Sequence, residues 1–128
     1  MMTDPLADML TRMRNALDAG FTKVEFPASR LKANVCKVFK DEGYIKSFKV
    51  IAKSKSDIRI KVAFKDERAI VGIKRVSKPG LRRYNGYREM PRVLSGLGTS
   101  VVSTSHGVMS SNDAKRKKLG GEVLCNIW

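Results

Sequence analysis

The sequence predicts an α+β fold in two small lobes. Three observations carry that expectation. Apolar residues recur at helical spacing in two segments of the first half. They alternate at strand spacing from Ile58 to Phe64. The second half breaks into short extended runs separated by Pro-Gly, Asn-Gly and Ser/Thr-Gly turns. The chain has 128 residues, 42% apolar and 30% charged, which is globular composition and enough for one domain or two lobes. The expected division is an N-terminal α/β lobe over residues 1–66 and a C-terminal, mainly β lobe over 67–128, with Lys65 to Ala69 as the joint.

Asp4-Pro5 marks a helix start, with Thr3 or Asp4 as N-cap. Leu6, Met9, Leu10, Met13 and Leu17 make one apolar stripe, and Gly20 stops the helix. Lys23 to Phe26 reads as a short strand closed by Pro27. Ser29 then caps a second helix with Leu31, Val35, Val38 and Phe39 inward and Lys32, Lys37 and Lys40 facing elsewhere. Tyr44 to Lys53 and Ile58 to Phe64 are strands around a turn at Ser54 to Asp57. The first lobe therefore runs α-β-α-β-β.

In the second lobe Val71 to Val76 is a strand, Pro79-Gly80 a turn, and Leu81 to Tyr84 short and extended, with a second turn at Asn85-Gly86. Pro91 to Leu94 makes one helical turn. Gly98 to Ser103 is a strand running into a loop at Thr104 to Gly107. Asn112 caps a short helix through Leu119, and Glu122 to Trp128 is a closing strand.

Charge narrows the function. There are 26 Lys and Arg against 12 Asp and Glu, a net charge of +14. That imbalance points to a polyanion, most often nucleic acid. Residues 1–67 carry a net +5 and residues 68–128 a net +9, and from Arg68 to Asn112 the only acid is Glu89. The C-terminal half is the expected anion-binding half. No stretch approaches the roughly 20 apolar residues of a membrane span. The start MMTDPLADML has an acid and a proline where a targeting segment carries basic residues. A soluble protein that stays where it is made is expected. Cys36 and Cys125 lie among apolar neighbours without metal-site spacing, and with one His in the chain neither a metal nor a cofactor is expected.

Catalysis finds no support. Ser105 and His106 are neighbours, but in an extended chain adjacent side chains point to opposite faces, so no proton-transfer pair is expected. Gly96-Leu97-Gly98 is followed by Val101 where a dinucleotide loop needs glycine, and no Walker-type ending exists. Binding fares better. SKPGLRRYNGYR sets Lys78, Arg82, Arg83 and Arg88 around Tyr84 and Tyr87, where cations meet phosphates and a ring can stack on a base or ribose. A solvated hairpin with core-packed tyrosines fits the composition equally well. Ser103, Thr104 and Ser105 offer short donors and acceptors for base edges or 2′-hydroxyls, although spacing alone favours a plain Ser/Thr turn. The run Lys115 to Lys118 suits a solvated helix end as well as a phosphate.

At these residues the chain resembles bacterial small-subunit ribosomal protein eight, over essentially its whole length. Thr3 to Ala16, TDPLADMLTRMRNA, is similar to the family's N-terminus. Gly98, Val101-Val102, Ser103-Thr104, Gly107, Val108-Met109, Ala114 and Lys115 fill its signature without a gap, and Gly120-Gly121-Glu122 matches its ending. Thr99, where an aliphatic is usual, and Trp128, where a smaller residue is usual, depart from the pattern, as does the extra Met1. The resemblance implies a structural, non-enzymatic constituent of the cytoplasmic small subunit. It would bind the central domain of 16S rRNA directly, help organise platform assembly and lie beside proteins five and twelve, with no small-molecule substrate. It also allows a repressor of translation that binds its own messenger RNA. Carried across, the RNA contacts are Ser103, Thr104, Ser105, His106, Gly107 and Tyr84, joined by Lys78 and Arg83 from the basic segment. Thr3, Arg14 and Lys32 supply those of the N-terminal lobe. Glu122 is expected to hold the loop rather than to touch phosphate.

Overall fold

Helix α1 (Pro5–Asp18) begins at a proline whose fixed φ suits the first helical turn, and the chain leaves it through Gly20 at φ +79°. A computed structural model describes residues 4–128, so Thr3 lies outside the described residues. The described chain forms two units, Leu6–Ile70, and Val71–Trp128 together with residues 4 and 5.

In the first unit α1, β1 (Lys23–Pro27), α2 (Arg30–Asp41), β2 (Ser47–Ala52) and β3 (Ile58–Ala63) follow in the expected order. The antiparallel sheet has the order β1-β3-β2. Ser29 caps α2 by accepting the Lys32 N–H at 3.1 Å. The stripe of α1 buries Leu6, Met9, Leu10, Met13 and Ala16. Val35, Cys36, Val38 and Phe39 of α2 complete the core with Phe26, Ile60 and Val62. Alternation leaves Lys23, Glu25, Lys49, Arg59 and Lys61 on the other face of the sheet.

Two expectations for α2 need correction. Leu31 is exposed, because the buried arc of the helix passes through positions 32, 35, 36 and 39. Lys32 lies on that arc and is buried, its Nζ donating to the Pro27 carbonyl at 2.8 Å above the Phe26 ring. The aliphatic stem fills an apolar position while the head finds a backbone acceptor. Burial pushes the Lys32 ammonium below its ordinary pKa. The strand expected from Tyr44 begins only at Ser47, since Ile45 turns into the core.

In the second unit β8 (Gly121–Ile127) is the central strand. β6 (Thr99–Thr104) pairs along one side of it, and β4 (Ile73–Arg75) and β5 (Tyr84–Asn85) along the other. β7 (Gly107–Ser110) extends the sheet beyond β6. This strand was not expected, as its four residues are too few to show a period. A bulge at Leu124 lets that residue's carbonyl accept from the Val76 N–H at 3.0 Å and from Arg75 at 2.7 Å. Arg75 also pairs with Asp4 at 3.0 Å. The short helix α3 (Ser111–Arg116) is capped by Ser110, not Asn112, and stops at Lys117 rather than Leu119. Ser110 leaves β7 extended, with its hydroxyl already on the Asp113 N–H. Trp128 closes the chain over Gly72, where any Cβ would collide with the indole ring. Among the described residues no helix is long and apolar enough to cross a membrane.

Candidate nucleic-acid interface

Two glycines begin the construction. A Cβ at Gly121 would run into the Ser103 carbonyl, and one at Gly120 would sit 2.8 Å from the Asn85 carbonyl oxygen. Without side chains there, three backbones converge at one end of the sheet. The register then aligns Tyr84 with Glu122, Glu122 with Ser103, and Ser103 with Val108. Cross-strand partners share a face, so Tyr84 and Ser103 flank Glu122 on one side of the sheet.

The β6–β7 hairpin closes through Ser105 and His106, with Gly107 at φ +112°. That left-handed position favours glycine. The Thr104 hydroxyl builds the turn. It donates to the Gly107 carbonyl at 2.8 Å and accepts the His106 N–H at 3.1 Å. The Ser103 hydroxyl has no hydrogen-bond partner among the described residues and is half-buried, while Ser105, His106 and Gly107 are exposed. The loop thus divides its work: Thr104 fixes the geometry, and Ser105 and His106 face outward.

The expectation that the Ser105 and His106 side chains point to opposite faces needs correction. The Ser105 hydroxyl lies 3.1 Å from His106 Nδ1. Opposed side chains belong to extended chain, and these two residues sit on a turn. Both are exposed at a hairpin tip, where neither is desolvated, so the contact is a surface hydrogen bond.

Glu122 anchors the neighbouring segment. Its carboxylate accepts from the Ser77 hydroxyl and from Arg82 at 2.9 Å. The buried Ser77 hydroxyl in turn accepts the Arg83 N–H at 3.1 Å. Burial pushes the Glu122 carboxyl up, but the Ser77 and Arg82 hydrogen bonds outweigh it and hold the group below its ordinary pKa. The carboxylate therefore supports the Ser77-to-Tyr84 segment. Pro79-Gly80 closes that segment with paired bonds between Lys78 and Leu81, at 3.0 and 2.9 Å. Tyr84, tied through its strand to Glu122, is 69% exposed. Tyr87 is half-buried and carries Arg88 at 5.5 Å from its ring.

Tyr84, Ser103, Thr104, Ser105, His106, Gly107 and Glu122 thus come together in the second unit. Lys78 and Arg83 are exposed and line a neighbouring groove of about 350 Å³ with Lys74 and Asn126. Arg14, half-buried, and Lys32 belong to the first unit. Sequence reasoning missed Ser77 and Gly121. Nothing in the spacing marks one serine as a buried relay. Gly121 carried a signal, since paired glycines before a strand announce close backbone approach.

The family profile described as Ribosomal protein S8 matches residues 4–128. Among relatives, the small ribosomal subunit protein uS8 of Syntrophobacter fumaroxidans is 48% identical over 99% of this chain and 98% of its own. That of Solibacter usitatus is 48% identical over 100% of both chains. That of Porphyromonas gingivalis is 51% identical over 99% of this chain and 100% of its own.

Proposed function

The chain belongs to the ribosomal protein S8 family, and from that premise we propose that it is a structural constituent of the small ribosomal subunit that binds the central domain of 16S rRNA directly. The family is structural and non-enzymatic. One observation carries the finer reading: an exposed tyrosine stands in register with Glu122 and Ser103 beside an outward-facing Ser105–His106 tip. An aromatic face suits an unstacked base or a ribose. A serine hydroxyl and nearby backbone suit a base edge or a 2′-hydroxyl. Lys78, Arg83 and Lys74 line a separate groove of the same unit and offer positive charge for phosphates.

In this reading Tyr84 stacks, Ser103, Ser105 and His106 meet polar edges, and Thr104, Gly107 and Glu122 hold the shape. Further contacts come from Arg14, Thr3 and neighbouring small-subunit proteins. Sucrose-gradient fractionation tests the assembly role, with near-stoichiometric protein in small subunits expected. A footprint of the pure protein on small-subunit rRNA tests the contact, with protection confined to the central domain. Protein absent from small subunits and recovered with messenger RNA would replace this reading by a translational repressor.

A further inference from the structure

We propose that the open face of the N-terminal sheet, centred on Lys23, Lys46, Lys49 and Lys61, is a second RNA-binding surface that grips the sugar–phosphate backbone without reading sequence. These four lysines line a depression of about 230 Å³ together with Ser47 and Ala63. The register explains the cluster. Lys23, Ala63 and Ser47 form one row across the three strands, and Glu25, Lys61 and Lys49 form the next. Adjacent strands lie about 5 Å apart and same-face residues about 7 Å apart, so the ammonium groups form a lattice of closely spaced charges.

One carboxylate, Glu25, faces four lysines here, and it forms its ion pairs elsewhere. Glu25 pairs with Lys53 at 2.7 Å and reaches Arg59 at 3.8 Å, while Asp57 pairs with Arg59 at 3.1 Å. Glu25 stands directly across from Lys61 and acts on it through space, but its ion pairs run to Lys53 and Arg59. The Lys53 hydrogen bond, above all, holds the Glu25 carboxyl below its ordinary pKa despite some desolvation. Among the described residues none of Lys23, Lys46, Lys49 and Lys61 makes an ion pair. The Ser47 hydroxyl beside them likewise has no partner among the described residues. It supplies a neutral donor next to the ammonium groups.

The side-chain chemistry selects the occupant. No aromatic ring lines the depression, so bases have nothing to stack on. Its cations are all lysines, which meet a phosphate as point charges and lack arginine's planar fork. Apart from Ala63 the lining is polar or charged, which gives an apolar protein interface no core. An RNA backbone satisfies all three conditions. The inference rests on the reading above only for the class of partner. Its probe contains no target for the β6–β7 tip, so either can fail alone.

The test compares two full-length double variants of equal charge change, Lys49→Gln with Lys61→Gln on the sheet face, and Lys37→Gln with Lys40→Gln on the exposed side of α2. Each binds an RNA duplex of unrelated sequence across a salt series, after matched thermal melts show both folded. Every lost phosphate contact should lower the slope of log affinity on log salt by about 0.7 to 0.9. The sheet pair is expected to lower it by roughly 1.5 and the helix pair by less than about a third of that. Equal slopes for the two variants would overturn the proposal. So would parent-like duplex binding by the sheet pair, the result expected if the face instead seats an acidic protein surface.

Discussion

The two lobes are held together in different ways. The N-terminal lobe rests on apolar periodicity, with a stripe of α1, the inner arc of α2 and alternate residues of β3 meeting in one core. The C-terminal lobe has strands as short as two residues, and at the Tyr84–Ser103 end backbone meets backbone through Gly120 and Gly121 while Glu122 and Ser77 bind the remaining segment. A periodic core tolerates variation on its wet face. A site made of close approach and shared hydrogen bonds does not, so changes of a single methyl or a single charge should matter more in the second lobe.

The largest expected effect lies in the first lobe and leaves binding alone. Phe39 is fully buried, and Phe39→Ala should cost about 3–5 kcal/mol by denaturant unfolding. At temperatures where it stays folded, its rRNA affinity should match the parent. Gly121→Ala adds one methyl group against the Ser103 carbonyl. It should cost about 1–3 kcal/mol, and it should also weaken rRNA binding in the still-folded protein because the Ser103–Glu122–Tyr84 row is spread. If Phe39→Ala lost more affinity than Gly121→Ala at matched fraction folded, the contrast between lobes would break.

Glu122→Gln sharpens the comparison through pH. The folded Glu122 carboxyl lies below the unfolded value of 4.5, so its stabilisation is present above pH 4.5 and is lost as pH falls through the folded value. Urea melts at neutral pH should show a loss of about 1–3 kcal/mol for Glu122→Gln. The gap between parent and variant should narrow on acidification. A gap that stays constant down to the acid transition would assign the Glu122 role to packing alone. The smallest effect is expected at Lys32. Its ammonium is buried on the Pro27 carbonyl, so Lys32→Met should change stability by under about 1 kcal/mol and leave the salt slope of RNA binding unchanged.

The same contrast decides what could be read in the sequence. The stripe Leu6–Met9–Leu10–Met13 and the Ser29 cap are local, repeated signals, and the α-β-α-β-β order followed from them. Leu31 and Lys32 were placed on the wrong sides because a helix arc is set by its neighbours, and residue type then follows. In the second lobe β7 is too short to show a period, and Ser110 took the cap from Asn112 because the preceding strand delivers it extended. The Ser103–Gly107 loop and Tyr84 were visible as motif and composition. The Glu122–Ser77–Arg83 relay was not, since it joins residues 45 apart through side chains that carry no local pattern.

In the proposed interface the outward serine at the hairpin tip reads RNA while the lysines only anchor it, and Ser105→Ala is the decisive substitution. The substitution removes one hydroxyl and leaves the net charge unchanged. Affinity for a central-domain rRNA fragment and for an unrelated duplex should be measured at two salt concentrations, with matched melts. The expected result is a loss of about 1–3 kcal/mol for the central-domain fragment, roughly tenfold or more, with an unchanged salt slope and unchanged binding of the unrelated duplex. Parent-like affinity for the central-domain fragment at both salt concentrations would contradict it, and Ser105 would then be no more than part of a Ser/Thr turn.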